Sequence, residues 1–220
     1  MCIIKFIVMG TIRKGILGGF SGKVGTVVGG DWRGISYMRS LPRKIRDPRT
    51  PAQMNQRTKF ALSVNYLKPM NSVLRSGWKL YANGQSTINA AMSYTIANAI
   101  TGVYPDYSID PGKVLISRGG LTSAFNAIAI ASNGVIEFVW DDNSGVNDAK
   151  QTDKALIAIV NRTEGEAVTV SEGAERKTGM QTIALPARWT GDTVDAYIGF
   201  ISDDGMEVAD SVYLGNILVA

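Results

Sequence analysis

The chain has 220 residues, of which 45% are apolar and 19% charged, with 24 Gly, 7 Pro, one Cys and no His. At roughly 150 residues per domain this length allows one domain or two small ones, and the apolar share is ample for a packed core. The lack of His excludes every His-dependent triad; one Cys excludes an internal disulfide framework and leaves no ligand set for a structural zinc. No cofactor is expected.

The formal net charge of +4 hides a division. Residues 1–118 carry 17 basic and 4 acidic side chains, a balance of +13, whereas residues 119–220 carry 6 basic and 15 acidic, a balance of −9. Such a split points to separate units and to contact between copies, the basic half of one against the acidic half of the next. At physiological salt the Debye length is about 8 Å, so the attraction steers association more than it sets affinity. An acidic surface that merely keeps one domain soluble is the plainer reading of the same counts.

The first nine residues, Met1 to Met9, are apolar but interrupted by Lys5. They are too short for a membrane span of about 20 apolar residues and lead to no signal-cleavage site. Met9 is an alternative start, which makes the first eight residues an upstream extension; a free strand that pairs with a neighbouring subunit is the other expectation. No localisation signal follows, so synthesis in the cytoplasm is expected, with a virion as the destination if the protein is a particle component.

Residues 10–34 hold nine glycines. Gly22-Lys23-Val24 lacks the Ser or Thr of a phosphate loop, and Gly25 with Gly29 makes no dinucleotide fingerprint. The segment reads instead as a hairpin of two strands, Lys23–Val28 and Ile35–Arg39, connected through Gly29, Gly30, Asp31, Trp32, Arg33 and Gly34. Gly22, Gly25, Gly29, Gly30, Trp32 and Gly34 are its defining residues. A flexible Gly-rich arm is the alternative.

From Leu41 to Arg49 the chain is basic and broken by Pro42 and Pro48, which forbid helix. Arg39, Arg43, Lys44, Arg46 and Arg49 therefore line an extended strap suited to acidic protein or to phosphates. No aromatic residues are interleaved with the strap at base-stacking spacing. Arg57, just beyond, joins the candidate interaction set.

Thr50-Pro51-Ala52-Gln53 opens a helix: Thr50 caps, Pro51 needs no donor, and Gln53 reaches back to the cap. That helix is expected to reach Leu67 before Pro69, with Phe60, Val64 and Leu67 on its apolar face. A second helix is expected over 71–82, presenting Val73, Leu74 and Trp78, and a third from Ser86 or Thr87 to Gly102, with Ile88, Met92, Ile96 and Ile100 in a stripe.

After Tyr104 the pattern changes to short apolar runs separated by turn residues. Strands are expected at Lys113–Arg118, Ile128–Ser132, Val135–Trp140, Lys154–Asn161, Glu166–Ser171, Thr178–Leu185, Thr193–Ser202 and Val208–Val219, which is the spacing of an antiparallel β-sandwich. Trp140 is the expected plug between sheets, and Ala155–Val160, apolar on both faces, a central strand. The fold class is α+β, an N-terminal Gly-rich β-hairpin and short helices followed by a C-terminal immunoglobulin-like antiparallel β-sandwich. The organisation is 1–49 arm and strap, 50–103 helical region, 104–220 sandwich.

Asp141-Asp142 and Asp203-Asp204 pair carboxylates in loops, the minimum for glycoside hydrolysis or calcium binding. Hairpin turns draw Asp, Asn and Gly for backbone reasons, however, and no nucleophile motif is present. The sequence reads as a non-enzyme.

Several stretches are familiar together: Phe20 to Gly29, Trp32 to Pro42, Pro48 to Arg57, Ala90 to Tyr94 and Val114 to Gly119, with Trp78 downstream of the Pro-Arg-Thr-Pro-Ala-Gln element. They resemble an uncharacterised family of Bacteroidota proteins (DUF6266-like) that is also found in phage and prophage regions. The resemblance spans most of the chain and implies a basic arm-and-helix half joined to an immunoglobulin-like half, used in a virion or another assembly. The expected function is a structural subunit that self-assembles or packs with other structural proteins. A nucleic-acid-associated basic-arm protein is the alternative, and a surface adhesin or glycan-binding module using Trp32, Trp189 or Tyr213 the third.

Overall fold

The computed structural model describes residues 11–12, 19–32, 34–41, 47 and 49–219. The chain divides at Arg49/Thr50 into two units. In the first, β1 (Thr11–Ile12), β2 (Phe20–Val24), β3 (Val27–Trp32) and β4 (Ile35–Ser40) form one antiparallel sheet in sequence order. The expected strand Lys23–Val28 is thus two strands. Gly25 turns the chain at φ +59°, and Val24 pairs with Val27 across a two-residue loop, a geometry that selects residues tolerant of positive φ. Gly29 and Gly30, expected in the connection, lie inside β3; the second turn is at Gly34 (φ +82°), whose N–H donates to Asp31 Oδ1 at 3.0 Å.

The second unit opens with α1 (Pro51–Leu67), where Gln53 N–H donates to Thr50 Oγ1 and Thr50 N–H to Gln53 Oε1. A 3₁₀ turn at Lys68–Met70 leads into α2 (Asn71–Gly77), and another at Lys79–Tyr81 follows it. Next comes α3 (Thr87–Asn98), capped by Ser86. The third helix ends before Ile100, because Ile100–Val103 is β5, which pairs with β6 (Asp106–Ile109). Seven further strands follow: β7 (Phe125–Ser132), β8 (Val135–Asp141), β9 (Lys154–Asn161), β10 (Glu166–Val170), β11 (Met180–Ala184), β12 (Thr193–Ile201) and β13 (Val212–Leu218). They form two antiparallel sheets, β10-β9-β12-β13 and β11-β8-β7. Because β11 crosses back to pair with β8, the two sheets close as a β-sandwich.

The core has three layers. One face of β9 and β12 (Ala155, Ile157, Ile159, Val194, Ile198, Phe200) packs on Ile136, Phe138, Trp140 and Ile183 of the smaller sheet. Their other face (Leu156, Ala158, Val160, Tyr197) packs on Leu67, Met70, Val73, Leu74 and Trp78 beneath the helices. These strands are buried on both sides, which explains a run of six apolar residues with no alternation. The helices and the sandwich therefore share a core, and the expected boundary at 103/104 falls inside the β5–β6 hairpin rather than between domains.

Two expected apolar faces hold only in part. On α1 the buried residues are Ser63, Tyr66 and Leu67, with Val64 partly covered and Phe60 50% exposed. On α3 Met92 is buried and Ile88 packs partly covered on the core as expected, but the rest of the buried face is made by the small residues Ala90, Ala91 and Thr95, while Ile96 and Ile100 are only partly covered. Lys113–Arg118 is no strand: Val114 and Ile116 are buried, but Arg118 N–H donates to Gly77 O and Ile116 N–H to Ser211 Oγ.

Candidate interaction surface

The described residues of the first unit are joined chiefly by sheet hydrogen bonds. Among its described residues only Gly29 is buried. Trp32 is 56% exposed, Ile35 69% and Met38 71%, and all six residues of β4 are exposed. Cross-strand pairing sets out one face: Trp32 beside Ile35, Gly30 beside Tyr37, Val28 beside Arg39 and Lys23. Two apolar side chains thus lie at one end and two cations at the other, with Tyr37 between them. The Tyr37 ring lies over Gly30, where a Cβ would come within 2.9 Å of it, and a Cβ on Gly29 would sit 2.1 Å from the Phe20 carbonyl oxygen. Gly29 is thus required by close approach of backbone rather than by turn geometry, whereas at Gly30 only the end of the exposed Tyr37 ring would have to shift.

Gly22 lies in β2 at φ +106°, and Gly25, Gly34 and Trp32 hold the turn positions and strand end described above. Arg39 is exposed on β4. Arg49 has φ +46°, and its guanidinium lies 3.7 Å from the Asp47 carboxylate. Arg57 is exposed on α1, in the second unit. Arg43, Lys44 and Arg46, with Arg33 and the first ten residues, lie outside the described residues. Thr50, Pro51 and Gln53 form a reciprocal cap with proline at the first helical position.

The second unit holds two buried polar clusters that no sequence motif announces. Asp195, fully buried on β12, accepts from Tyr66, Arg162, Tyr213 and Asn216, with Arg162 Nε at 2.7 Å. Tyr66 and Tyr197 share a 2.6 Å hydroxyl contact, and Tyr197 donates to the Pro111 carbonyl. Burial pushes all three tyrosine hydroxyls up from their ordinary value. This cluster ties α1 to both edges of β12, and a cavity of about 200 Å³ opens beside it between α1 and the β9–β10 turn.

Arg176, also fully buried, donates from Nε to Asp153 at 3.1 Å, from Nη1 to Asn143 and from Nη2 to the Thr122 carbonyl, and its guanidinium stacks 3.9 Å from the Phe200 ring centroid. Burial pulls its pKa down, opposed by the Asp153 charge. Trp140 lies between the sheets, edge-on to Phe200, with its indole N–H donating to the Arg176 carbonyl. The Asp195 carboxylate and the Arg176 guanidinium are each held by groups from several elements, the arrangement of a structural clamp, while Asp153 is held through Oδ2 and its Oδ1 is left without a hydrogen-bond partner.

Two of the four loop carboxylates, Asp142 and Asp204, are committed to their own turns. Asp142 accepts from the Ser144 hydroxyl and backbone N–H, and Asp204 from the Ser202 hydroxyl and Met206 N–H; these hydrogen bonds hold both carboxyls below the usual range. Asp203 lies 3.2 Å from Lys154. Of the three rings considered as sugar platforms, Trp189 is buried and the Tyr213 hydroxyl is engaged by Asp195, which leaves Trp32. Among the described residues, no helix is long and apolar enough to cross a membrane.

A family of unknown function, DUF6266, matches residues 19–215. The chain belongs to that family. The family match begins one residue before β2 and ends within β13, so the exposed sheet is as much part of it as the sandwich. Among solved structures, the fn3 domain of human collagen alpha-1(XX) chain is 11% identical, covers 47% of this chain and 90% of its own, and has a TM-score of 0.35. The fn3 domain of human contactin 1 is 12% identical, covers 55% and 93%, and has a TM-score of 0.32. The sandwich rests on its strand pairing rather than on these likenesses. No curated protein matches the chain.

Proposed function

We propose that this protein is a non-enzymatic structural subunit that assembles with copies of itself, or with other structural proteins, into a larger particle. The observation that carries the reading is the first unit: a sheet whose described residues bury only Gly29 while presenting Trp32, Ile35, Tyr37 and Met38. A sheet needs a packed face for stability, and exposed apolar edges of this kind are pairing sites for other chains. The basic bias of the N-terminal half and the acidic bias of the sandwich half supply the complementary charge. The resemblance to proteins of phage and prophage regions in Bacteroidota supports a virion or filament-like setting. Light scattering after size exclusion, at low and high salt and rising concentration, tests it. Discrete higher-mass species are expected; a monomer throughout contradicts the reading.

A nucleic-acid-associated role is the second reading, favoured by one observation: Lys23 and Arg39 share a face with Trp32 and Tyr37, the cation-and-ring combination that holds single strands. DNA and RNA titrations across salt decide it, because phosphate contacts weaken as salt is added.

A further inference from the structure

The geometry points to the outer face of the β7-β8-β11 sheet as the surface that receives the first unit of a second copy. This inference rests on the self-assembly reading and adds to it the two faces that meet. The outer face of a sandwich sheet in a soluble protein is ordinarily polar. Here the register lines up Ile128, Val139 and Met180 in one row and Ile130, Glu137 and Thr182 in the next. Ile128 and Ile130 are each 51% exposed, and Phe125 and Met180 are exposed as well. The face is therefore an apolar patch, and patches of this kind mark contact sites.

Glu137 decides the occupant. It is half-buried among these apolar side chains and makes no hydrogen bond or ion pair with the described residues. A carboxylate in that position favours a partner that brings a cation, and it opposes pairing of this face with itself, which would set Glu137 against Glu137. Arg39 has the reciprocal arrangement. It is exposed beside Tyr37 and Val28 and has no acidic partner among the described residues.

The spacings agree. Glu137 and Asp141 point outward four residues apart on β8, about 13 Å, while Lys23 and Arg39 flank Val28 two strand spacings apart, about 10 Å. Long Lys and Arg side chains span the difference. Ile35 and Trp32 then meet the isoleucines of β7. The contact joins two different surfaces, so it is head-to-tail and builds a ring or an open filament.

The test uses the full chain in light scattering over a concentration series, comparing wild type with Glu137→Arg, Arg39→Glu and the double variant, each checked for native folding by circular dichroism. Each single charge reversal is expected to raise the concentration for half-association about tenfold or more, and the double variant to restore it. If Glu137→Arg associates like wild type, the receiving face is elsewhere and this inference fails while self-assembly stands. If both single variants lose association and the double does not regain it, the pairing of Arg39 with Glu137 is overturned. If the wild type never associates, the self-assembly reading fails and takes this inference with it. Mass gain abolished by nuclease treatment overturns the inference in favour of nucleic acid.

Discussion

The two units solve the same problem, burying a sheet, in opposite ways. The central strands of the sandwich are covered on both faces, by the smaller sheet on one side and by the helices on the other, and the charges inside them are clamped by partners from distant segments. The sheet of the first unit has its backbone hydrogen bonds but, among the described residues, almost no interior, and Gly29 and Gly30 allow close approach of backbone and ring. Pairing alone does not stabilise a small sheet; packing does. The comparison teaches that the second unit buries its sheets within itself, whereas the described residues of the first leave its sheet uncovered, which is what the proposed assembly would complete.

Breaking the internally packed side gives the largest effect. Arg176→Ala leaves Asp153 buried without its cation and removes the stacking on Phe200, so a loss of about 3–5 kcal/mol is expected in chemical denaturation. Thr50→Ala removes one donor–acceptor pair at the start of α1 and is expected to cost about 1 kcal/mol by the same measurement. Gly29→Ala sharpens the contrast: its Cβ meets the Phe20 carbonyl, so the first sheet distorts and association is lost, while the denaturation midpoint of the sandwich stays within experimental error.

The smallest effects are with pH. Asp142 and Asp204 have depressed pKa values in the folded protein, so their contribution is present above the ordinary 3.8 and disappears as pH falls through the folded values. Tyr66, Tyr197 and Tyr213 are raised above 10.0, so the folded state holds their protons longer and stability falls as pH rises beyond that value. A plateau of stability between these two limits is expected in thermal melts, with declines on both sides; a slope at neutral pH contradicts this account.

Much of the sandwich was legible because alternation and turn residues are local signals. Lys154–Asn161 is a strand over its whole expected length, since a doubly buried strand is a continuous apolar run. The capping residues of α1 were legible for the same reason: the pattern is complete within four residues. What escaped depends on distant partners. Val114–Arg118 has strand-like residues, yet its hydrogen bonds go to Gly77 and Ser211, some forty and ninety-five positions away. Phe60 looks like a core residue, but Tyr66 is turned inward by its hydroxyl contacts with Asp195 and Tyr197, and that choice rotates the helix. The only local trace of the Asp195 cluster was one carboxylate in the otherwise apolar run of β12. For the first unit, the glycine count identified strands and turns but misplaced them, because Gly29 answers to the Phe20 carbonyl rather than to a bend.

Hydrogen–deuterium exchange followed by mass spectrometry, on dilute monomer and on concentrated protein, reads the central claim directly. Peptides covering β2 to β4 are expected to exchange rapidly when dilute and to gain protection on association, whereas those covering β9 and β12 stay protected in both. Protection of β2 to β4 in the dilute monomer at the level of β9 and β12 contradicts the account, because the sheet would then be complete within one chain.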